Sequence, residues 1–63
     1  MKDNPLSERE QSVLELVAKG YVNKEIAVKL CISIETVKKH LQNTYRKLRA
    51  TNKIEALRKA GML

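Results

Sequence analysis

The scarcity of helix-breaking residues is the feature of this chain that most limits its fold. Pro5, Gly20 and Gly61 are the only proline and glycines among 63 residues, and no stretch alternates apolar and polar residues as a half-buried strand would. We therefore predict an all-α fold. A chain of this length forms one small domain, and its core must be aliphatic because Tyr21 and Tyr45 are its only aromatic residues.

Capping signals in the first half of the chain predict two helices. Residues 7–10, SERE, have the S-x-x-E form of a capping box, so the first helix begins at Ser7, and Gly20 suits the left-handed position that ends it. Asn23 is a good N-cap for a second, shorter helix that ends near Leu30. Both helices carry apolar residues at helical spacing and are expected to contribute to the core.

The second half of the chain predicts two further helices. Ser33 is the N-cap of the third, which runs to about Leu48. The fourth begins near Asn52, which forms a capping box with Glu55 in which Asn replaces the usual Ser or Thr. Gly61 ends this helix, so the whole chain is accounted for by four helices and short connections.

The third helix has three distinct faces when its residues are placed 100° apart. Its apolar face comprises Ile34, Val37, Leu41, Thr44, Tyr45 and Leu48. The nearly opposite, mostly basic face comprises Glu35, Lys38, Lys39, Gln42, Arg46 and Arg49. A polar flank between them comprises Thr36, His40, Asn43 and Lys47. Such a helix can dock on its domain through one side and offer the other side to a charged partner.

The positive charge is concentrated in the second half of the chain. There are 13 Lys and Arg residues against 7 Asp and Glu, which gives a net charge of +6. Residues 36–63 hold eight basic side chains and one acidic side chain, whereas residues 1–35 hold five and six. This balance predicts a polyanionic partner, either nucleic acid or an anionic membrane.

The side chains that other functions require are few. One histidine and one cysteine cannot form a zinc cage or an internal disulfide, and no catalytic constellation is evident, so we expect neither an enzyme nor a cofactor. We expect Cys31 to be a small buried apolar residue and His40 to be packed or adjacent to a phosphate. No stretch has the roughly 18–20 apolar residues of a membrane helix, and we expect a cytoplasmic setting.

The second helix, the turn at residues 31–33 and the longer third helix predict a helix-turn-helix. The major groove of DNA is about 12 Å wide and admits one α-helix. The third helix suits that groove because it has an apolar side to dock on its domain and a polar side with hydrogen-bond donors. The sequence therefore predicts double-stranded DNA as the partner.

Four segments taken together resemble the DNA-binding domain of LuxR/FixJ/GerE-type bacterial transcription regulators. They are LSERE (6–10), VLELVAKGYVNKEIAVKL (13–30), ISIETVKKHLQNTYRKL (32–48) and NKIEAL (52–57). The resemblance implies a compact four-helix domain over residues 6–63, with residues 1–5 as a tail or linker. It also implies that the domain is the effector part of a response regulator, that the third helix is the recognition helix and that the fourth pairs two copies into a homodimer.

The resemblance assigns roles to individual positions. Base contacts in the major groove fall on Lys38, Lys39 and Gln42. Phosphate contacts fall on Asn23, Lys24, Thr36, Arg46, Lys47, Asn52 and Lys53. Dimerisation falls on Ile54, Leu57 and Arg58. The base-contacting set is chemically suitable, since Lys can donate to guanine and Gln can pair with adenine.

Two positions depart from the family pattern. Cys31 and Arg49 stand where glycine or another residue tolerant of left-handed backbone is common. A non-glycine residue in that conformation costs on the order of 1 kcal/mol. We expect a modest loss of stability at both positions and no loss of function.

Two alternatives remain open. Region 4 of a sigma factor also contains a helix-turn-helix and reads promoter DNA as part of RNA polymerase, although the capped fourth helix and the TVKKH run (36–40) fit the regulator better. A basic amphipathic module would instead bind an anionic membrane surface or an acidic protein, but the apolar face of the third helix is expected to be buried. RNA polymerase is also a candidate partner of the regulator.

Overall fold

Four α-helices make up the fold. The computed structural model describes residues 5–63, and within that range it contains no strand. The helices are α1 (Glu8–Ala18), α2 (Asn23–Leu30), α3 (Ile34–Leu48) and α4 (Lys53–Lys59). The all-α prediction is confirmed, and each of the four predicted helices is present. Most of the predicted tail, residues 1–4, lies outside the described residues.

The core is aliphatic, as predicted. Its buried hydrophobic side chains are Leu6, Val13, Leu14, Val17, Ile26, Ala27, Val37, Leu41, Ala56 and Leu57. They come from all four helices and from the residue before the α1 cap, and α3 packs against α1, α2 and α4. Thr44 of α3 is also fully buried, and its hydroxyl donates to the carbonyl oxygen of His40 at 2.7 Å. That hydrogen bond satisfies the hydroxyl within the core.

Two of the predicted helix starts are confirmed in detail. At α1, Ser7 Oγ accepts from the Glu10 backbone N–H at 3.1 Å, and Glu10 Oε1 accepts from the Ser7 N–H at 3.0 Å. This is the reciprocal capping box. At α3, Ser33 Oγ accepts from the Thr36 N–H at 3.1 Å. The two serines therefore determine where α1 and α3 begin.

The start of α2 differs from the prediction. Asn23 is the first helical residue, and the residue before it, Val22, is the N-cap. Valine has no side-chain acceptor and cannot cap the helix itself. The start of α2 is stabilised instead by the Glu25 side chain, whose Oε1 accepts a hydrogen bond from the Val22 N–H at 2.9 Å. The prediction of an Asn23 cap was wrong because the Glu25 carboxylate already binds the backbone at the preceding position.

The capping box predicted for α4 is half formed. Asn52 Oδ1 accepts from the Glu55 N–H at 2.8 Å, as predicted. The Glu55 carboxylate, however, accepts from the N–H of Thr51 at 2.6 Å and from its hydroxyl at 3.0 Å. These bonds from Thr51 lower the pKa of Glu55. The side chain thus reaches one residue beyond the cap and fixes the connection that leads into α4.

All four helices end with the same C-terminal capping motif. A residue with positive φ follows each helix: Gly20 (97°), Cys31 (58°), Arg49 (55°) and Gly61 (76°). The N–H of the next residue then bonds to the carbonyl five positions back, at 2.8–3.1 Å: Tyr21 to Leu16, Ile32 to Ala27, Ala50 to Tyr45 and Met62 to Leu57. Each of these next residues is partly buried against the core. The pattern is the Schellman motif with its hydrophobic contact, which turns the chain back onto the domain.

The two departures from the family pattern occupy this left-handed position, as expected. Cys31 is nevertheless exposed, which corrects the prediction that it is buried. The reason is that the left-handed turn directs the following residue, Ile32, onto the core and leaves the thiol at the surface.

Replacing Cys31 by glycine is expected to raise the free energy of unfolding by about 0.5–1 kcal/mol. Glycine has no Cβ to oppose the left-handed backbone, and part of the gain is offset by the greater freedom of glycine in the unfolded chain. Urea denaturation measures the change. Cys31→Ala is the control because it removes the thiol and keeps the Cβ, so it should alter stability much less. An equal gain for alanine would show that the thiol, and not the backbone, is responsible.

Candidate nucleic-acid interface

A groove of about 1050 Å³ lies where the start of α2, one side of α3 and the start of α4 meet. Its lining residues are Val17, Gly20, Tyr21, Val22, Asn23, Lys24, Ile34, Glu35, Lys38, Lys39, Leu41, Gln42, Tyr45 and Lys53. Four of these are lysines, contributed by three helices, and one is acidic. The groove therefore has the charge to attract an anion and an apolar floor beneath it.

The groove brings together six of the ten residues predicted to contact DNA. They are Lys38, Lys39 and Gln42 from α3, Asn23 and Lys24 from α2, and Lys53 from α4. All except the half-buried Asn23 are exposed. The whole base-contacting set lies on this surface, together with three of the predicted phosphate contacts.

The buried face of α3 determines where its lysines point. Val37 is fully buried and Leu41 is 8% exposed, so these two residues hold the helix against the core. Lys38 and Gln42 are one helical turn apart and follow the two buried residues directly, which turns both side chains toward the groove. An orientation fixed by packing is what a surface that reads a rigid partner requires.

The floor of the groove is apolar and aromatic. Tyr21 and Tyr45 are half-buried, and the exposed Ile34 lies at the start of α3. Burial raises the pKa of Tyr45, so its phenol keeps its proton throughout the neutral range. The Lys29 ammonium lies 5.0 Å from the centre of the Tyr21 ring, which is a cation–π contact.

Four predicted phosphate contacts lie outside the groove, and each makes a hydrogen bond within the chain. The hydroxyls of Thr36 and Ser33 share one at 2.8 Å, and Arg46 Nη2 donates to Asn43 Oδ1 at 2.8 Å. Asn52 caps α4. Arg46 forms no ion pair within residues 5–63, since its partner is a neutral amide, so its positive charge is not compensated on this side of α3.

Lys47, the fourth of these residues, forms an ion pair that links α3 to α1. Its Nζ lies 2.8 Å from Glu10 Oε1, and the Glu10 side chain is only 6% exposed while that of Lys47 is 37% exposed. Burial raises the pKa of Glu10, but the hydrogen bonds from Lys47 and from the Ser7 backbone outweigh it, so the pKa is lowered overall. The carboxylate stays ionised and holds both the α1 cap and the third helix.

Sequence reasoning identified Glu10 as a capping residue and Lys47 as a phosphate contact, and it missed the pair. The two residues are 37 positions apart, and no local spacing brings them together. One sequence signal pointed to such a pair. Residues 36–63 contain a single acidic residue, so a basic residue there that forms an ion pair will most often do so with an acidic residue from the first half of the chain.

The predicted dimerisation residues separate into two groups. Ile54 is 50% exposed and Arg58 is exposed, so both are accessible to a second copy. Leu57 is 4% exposed and packs in the core of its own chain. Since a side chain buried in this way cannot contact another copy, we leave Leu57 out of the candidate dimerisation surface.

Neither a metal site nor a membrane-spanning helix is found over residues 5–63. No group of three or more His, Cys, Asp or Glu side chains is placed to hold a metal ion. None of the helices in this range has the length and apolar character to cross a membrane.

Comparison with known proteins gives two findings. Residues 4–60 match the family described as bacterial regulatory proteins, luxR family. Over all 63 residues, the chain is 38% identical to an HTH-type transcriptional regulator, MalT, from Serratia proteamaculans (strain 568). That alignment covers 100% of this chain and 7% of the relative, so the similarity concerns a small part of a much longer protein.

Lys47→Met is expected to lower the free energy of unfolding by about 1–2 kcal/mol at pH 7. The substitution leaves the nearly buried Glu10 carboxylate without its cation. The expected loss of stability is modest because Lys47 is partly exposed and solvent weakens its attraction to Glu10. Because the pKa of Glu10 is lowered in the fold, the pair contributes above the ordinary value of 4.5 and its contribution is lost as the pH falls through the folded value.

Urea denaturation at pH 7 and at pH 3 tests this dependence. The difference between the wild type and Lys47→Met should be smaller at pH 3 than at pH 7, because Glu10 loses its charge, and with it the ion pair, as the pH falls through its lowered folded pKa. Lys39→Met is the control, because Lys39 is an exposed residue of the same helix that forms no ion pair within residues 5–63. An equal, pH-independent loss for both variants would mean that the pair does not stabilise the fold.

Proposed function

The chain belongs to the luxR family of bacterial regulatory proteins, and from that premise we propose that it reads specific sequences of double-stranded DNA with α3 in the major groove. Family membership makes it a helix-turn-helix domain for DNA binding and transcription regulation. The observation that carries the finer proposal is the groove, in which cations and amides from three helices converge on one exposed face of α3.

Lys38, Lys39 and Gln42 are proposed to contact base edges. All three are exposed on the groove side of α3. A Lys ammonium donates to the O6 and N7 acceptors of guanine, and a Gln amide forms a bidentate pair with adenine. Their spacing over little more than one helical turn lets them reach successive base pairs.

Phosphate contacts are proposed on both sides of this reading face. Asn23 and Lys24 open α2, where the backbone N–H groups of a first turn favour an anion, and Lys53 lies across the groove at the start of α4. Thr36, Arg46 and Asn52 extend the contact beyond the groove. Lys47 remains in the proposed set, but its contribution is expected to be smaller because its ammonium is engaged by Glu10.

The affinity for DNA should fall steeply with salt. Lys24, Arg46 and Lys53 are cations with no ion pair among the described residues, and three neutralised phosphates give a slope of log K against log salt of about −3 per bound domain. Fluorescence anisotropy with duplexes at several salt concentrations measures it. A slope near zero would contradict DNA binding through phosphates.

Two lysines distinguish phosphate contacts from base contacts. Lys53→Ala should weaken binding to all sequences alike and flatten the slope by about 0.9. Lys39→Ala should change the preference at one base pair by roughly 1–3 kcal/mol. Random-site selection followed by affinity measurements reads both effects. A uniform loss for both variants would show that Lys39 contacts phosphate and not a base.

Pairing of two copies through α4 is the second part of the proposal. The exposed Ile54 and Arg58 form the candidate surface, and the two recognition helices would then enter the major groove about 34–36 Å apart. The burial of the neighbouring Leu57 supports the proposal indirectly, because it anchors α4 so that its outer residues stay in a fixed position.

Ile54→Asp is expected to abolish cooperative binding to two half-sites and to leave binding to a single half-site unchanged. The exposed isoleucine contributes little to its own core, whereas a charge at its position opposes apolar pairing. Val28→Asp is the matched control, since Val28 is a 74% exposed residue on α2. Equal loss of cooperativity for both variants would mean that added charge, and not α4, is the cause.

The regulator is favoured over the two alternatives. The family match covers residues 4–60 and so includes α4, which packs against α1 and α3 as part of the domain. No comparable observation supports a role like that of region 4 of a sigma factor. The membrane alternative needs several large apolar residues exposed on α3, whereas Ile34 at its first turn is the one large apolar side chain of α3 that is exposed, and Val37 and Leu41 are buried. We further propose a cytoplasmic location, a role as the effector part of a response regulator, and RNA polymerase as a partner.

A further inference from the structure

Glu35 is an acidic side chain placed in a basic groove. It is exposed, and it is the one acidic residue among those that line the groove. Four other glutamates of the described range, Glu10, Glu15, Glu25 and Glu55, accept hydrogen bonds through their carboxylates. The Glu35 carboxylate makes no hydrogen bond or ion pair within residues 5–63, so it is available to a ligand.

The lysines beside Glu35 do not neutralise it. Lys38 and Lys39 stand three and four residues further along α3, the spacings at which a helix can pair opposite charges. Neither forms an ion pair with Glu35. The groove therefore offers separate cations and a separate anion, and a ligand that fits it must present both kinds of complementary group.

The proposed DNA ligand limits what Glu35 can face. A carboxylate near a phosphate is repelled, so it can be tolerated only where it meets a base edge. In the major groove guanine shows two acceptors and thymine shows one acceptor and a methyl group, which a carboxylate cannot bind. Adenine pairs its amino donor with an adjacent acceptor, whereas cytosine offers the N4 amino donor alone, so cytosine suits a carboxylate best.

The position of Glu35 suits a base contact. It is the second residue of α3, and the N-terminal residues of a recognition helix are those that meet base edges. We propose that Glu35 is a specificity-determining residue that accepts a hydrogen bond from the amino group of a cytosine and disfavours guanine and thymine at that base. This inference rests on the proposed function.

A structural role for Glu35 has to be separated from this one. An acidic residue in the first turn of any helix is stabilised by the helix dipole. Glu8 provides the matched control, because it is an exposed first-turn residue of α1, makes no hydrogen bond or ion pair within residues 5–63, and lies away from the groove. A Gln replacement at either position removes the charge and keeps the size.

The test is random-site selection on duplex DNA with the wild-type chain, Glu35→Gln and Glu8→Gln, followed by affinity measurements on the selected duplexes. The wild type should select cytosine at one base per half-site, and replacing that base by thymine should weaken binding about 5-fold to 150-fold. Glu35→Gln should lose this preference and shift toward adenine at the same base. Glu8→Gln should select the wild-type sequence, with a similar small change in unfolding free energy.

Four outcomes would overturn the inference. If Glu35→Gln changes affinity for all sequences equally, the carboxylate acts only through its charge. If Glu8→Gln alters the selected sequence as much as Glu35→Gln does, the effect comes from helix stability. If the wild type selects no sequence, the proposed function fails together with the inference, whereas a selective wild type with an unchanged Glu35→Gln variant defeats the Glu35 inference alone.

Discussion

The burial of one face of α3 is the constraint on which the rest of the structure depends. Val37, Leu41 and Thr44 are buried against the other three helices, and the hydroxyl of Thr44 is satisfied within its own helix. Because that face cannot turn outward, Lys38 and Lys39 are held toward solvent in a fixed direction. In a chain of 63 residues the same helix thus supplies core packing and the candidate reading surface.

The helix ends arrange the remaining parts of the interface around α3. The left-handed residue Gly20 leads into the segment that carries Asn23 and Lys24, and Arg49 leads into the segment that carries Lys53. Each turn is held by a hydrogen bond from a backbone N–H to the carbonyl oxygen five residues back. A side chain that packs on the core adds to this. The stability cost of a non-glycine residue at two of these turns is therefore compatible with a well-defined groove.

Local sequence signals predicted the helices but not the contacts between distant residues. Periodicity and capping signals predicted four helices that the structure confirms, since these signals depend on neighbours within about one helical turn. The exposure of Cys31 and the burial of Leu57 depend on how turns and helices pack, which no local pattern states. The pair between Glu10 and Lys47 joins positions 37 residues apart and became visible only in the fold. The groove could not be predicted either, because it forms only where α2, α3 and α4 pack together.

The most direct test of the central claim, that the groove side of α3 is the DNA-binding surface, is a backbone amide NMR titration with a selected duplex at low salt. We expect the largest shift changes on residues 38–42, with smaller changes at residues 23–24 and 53. Residues 8–15 of α1, which do not line the groove, should change little. Changes centred on α1, with residues 38–42 unaffected, would contradict the account.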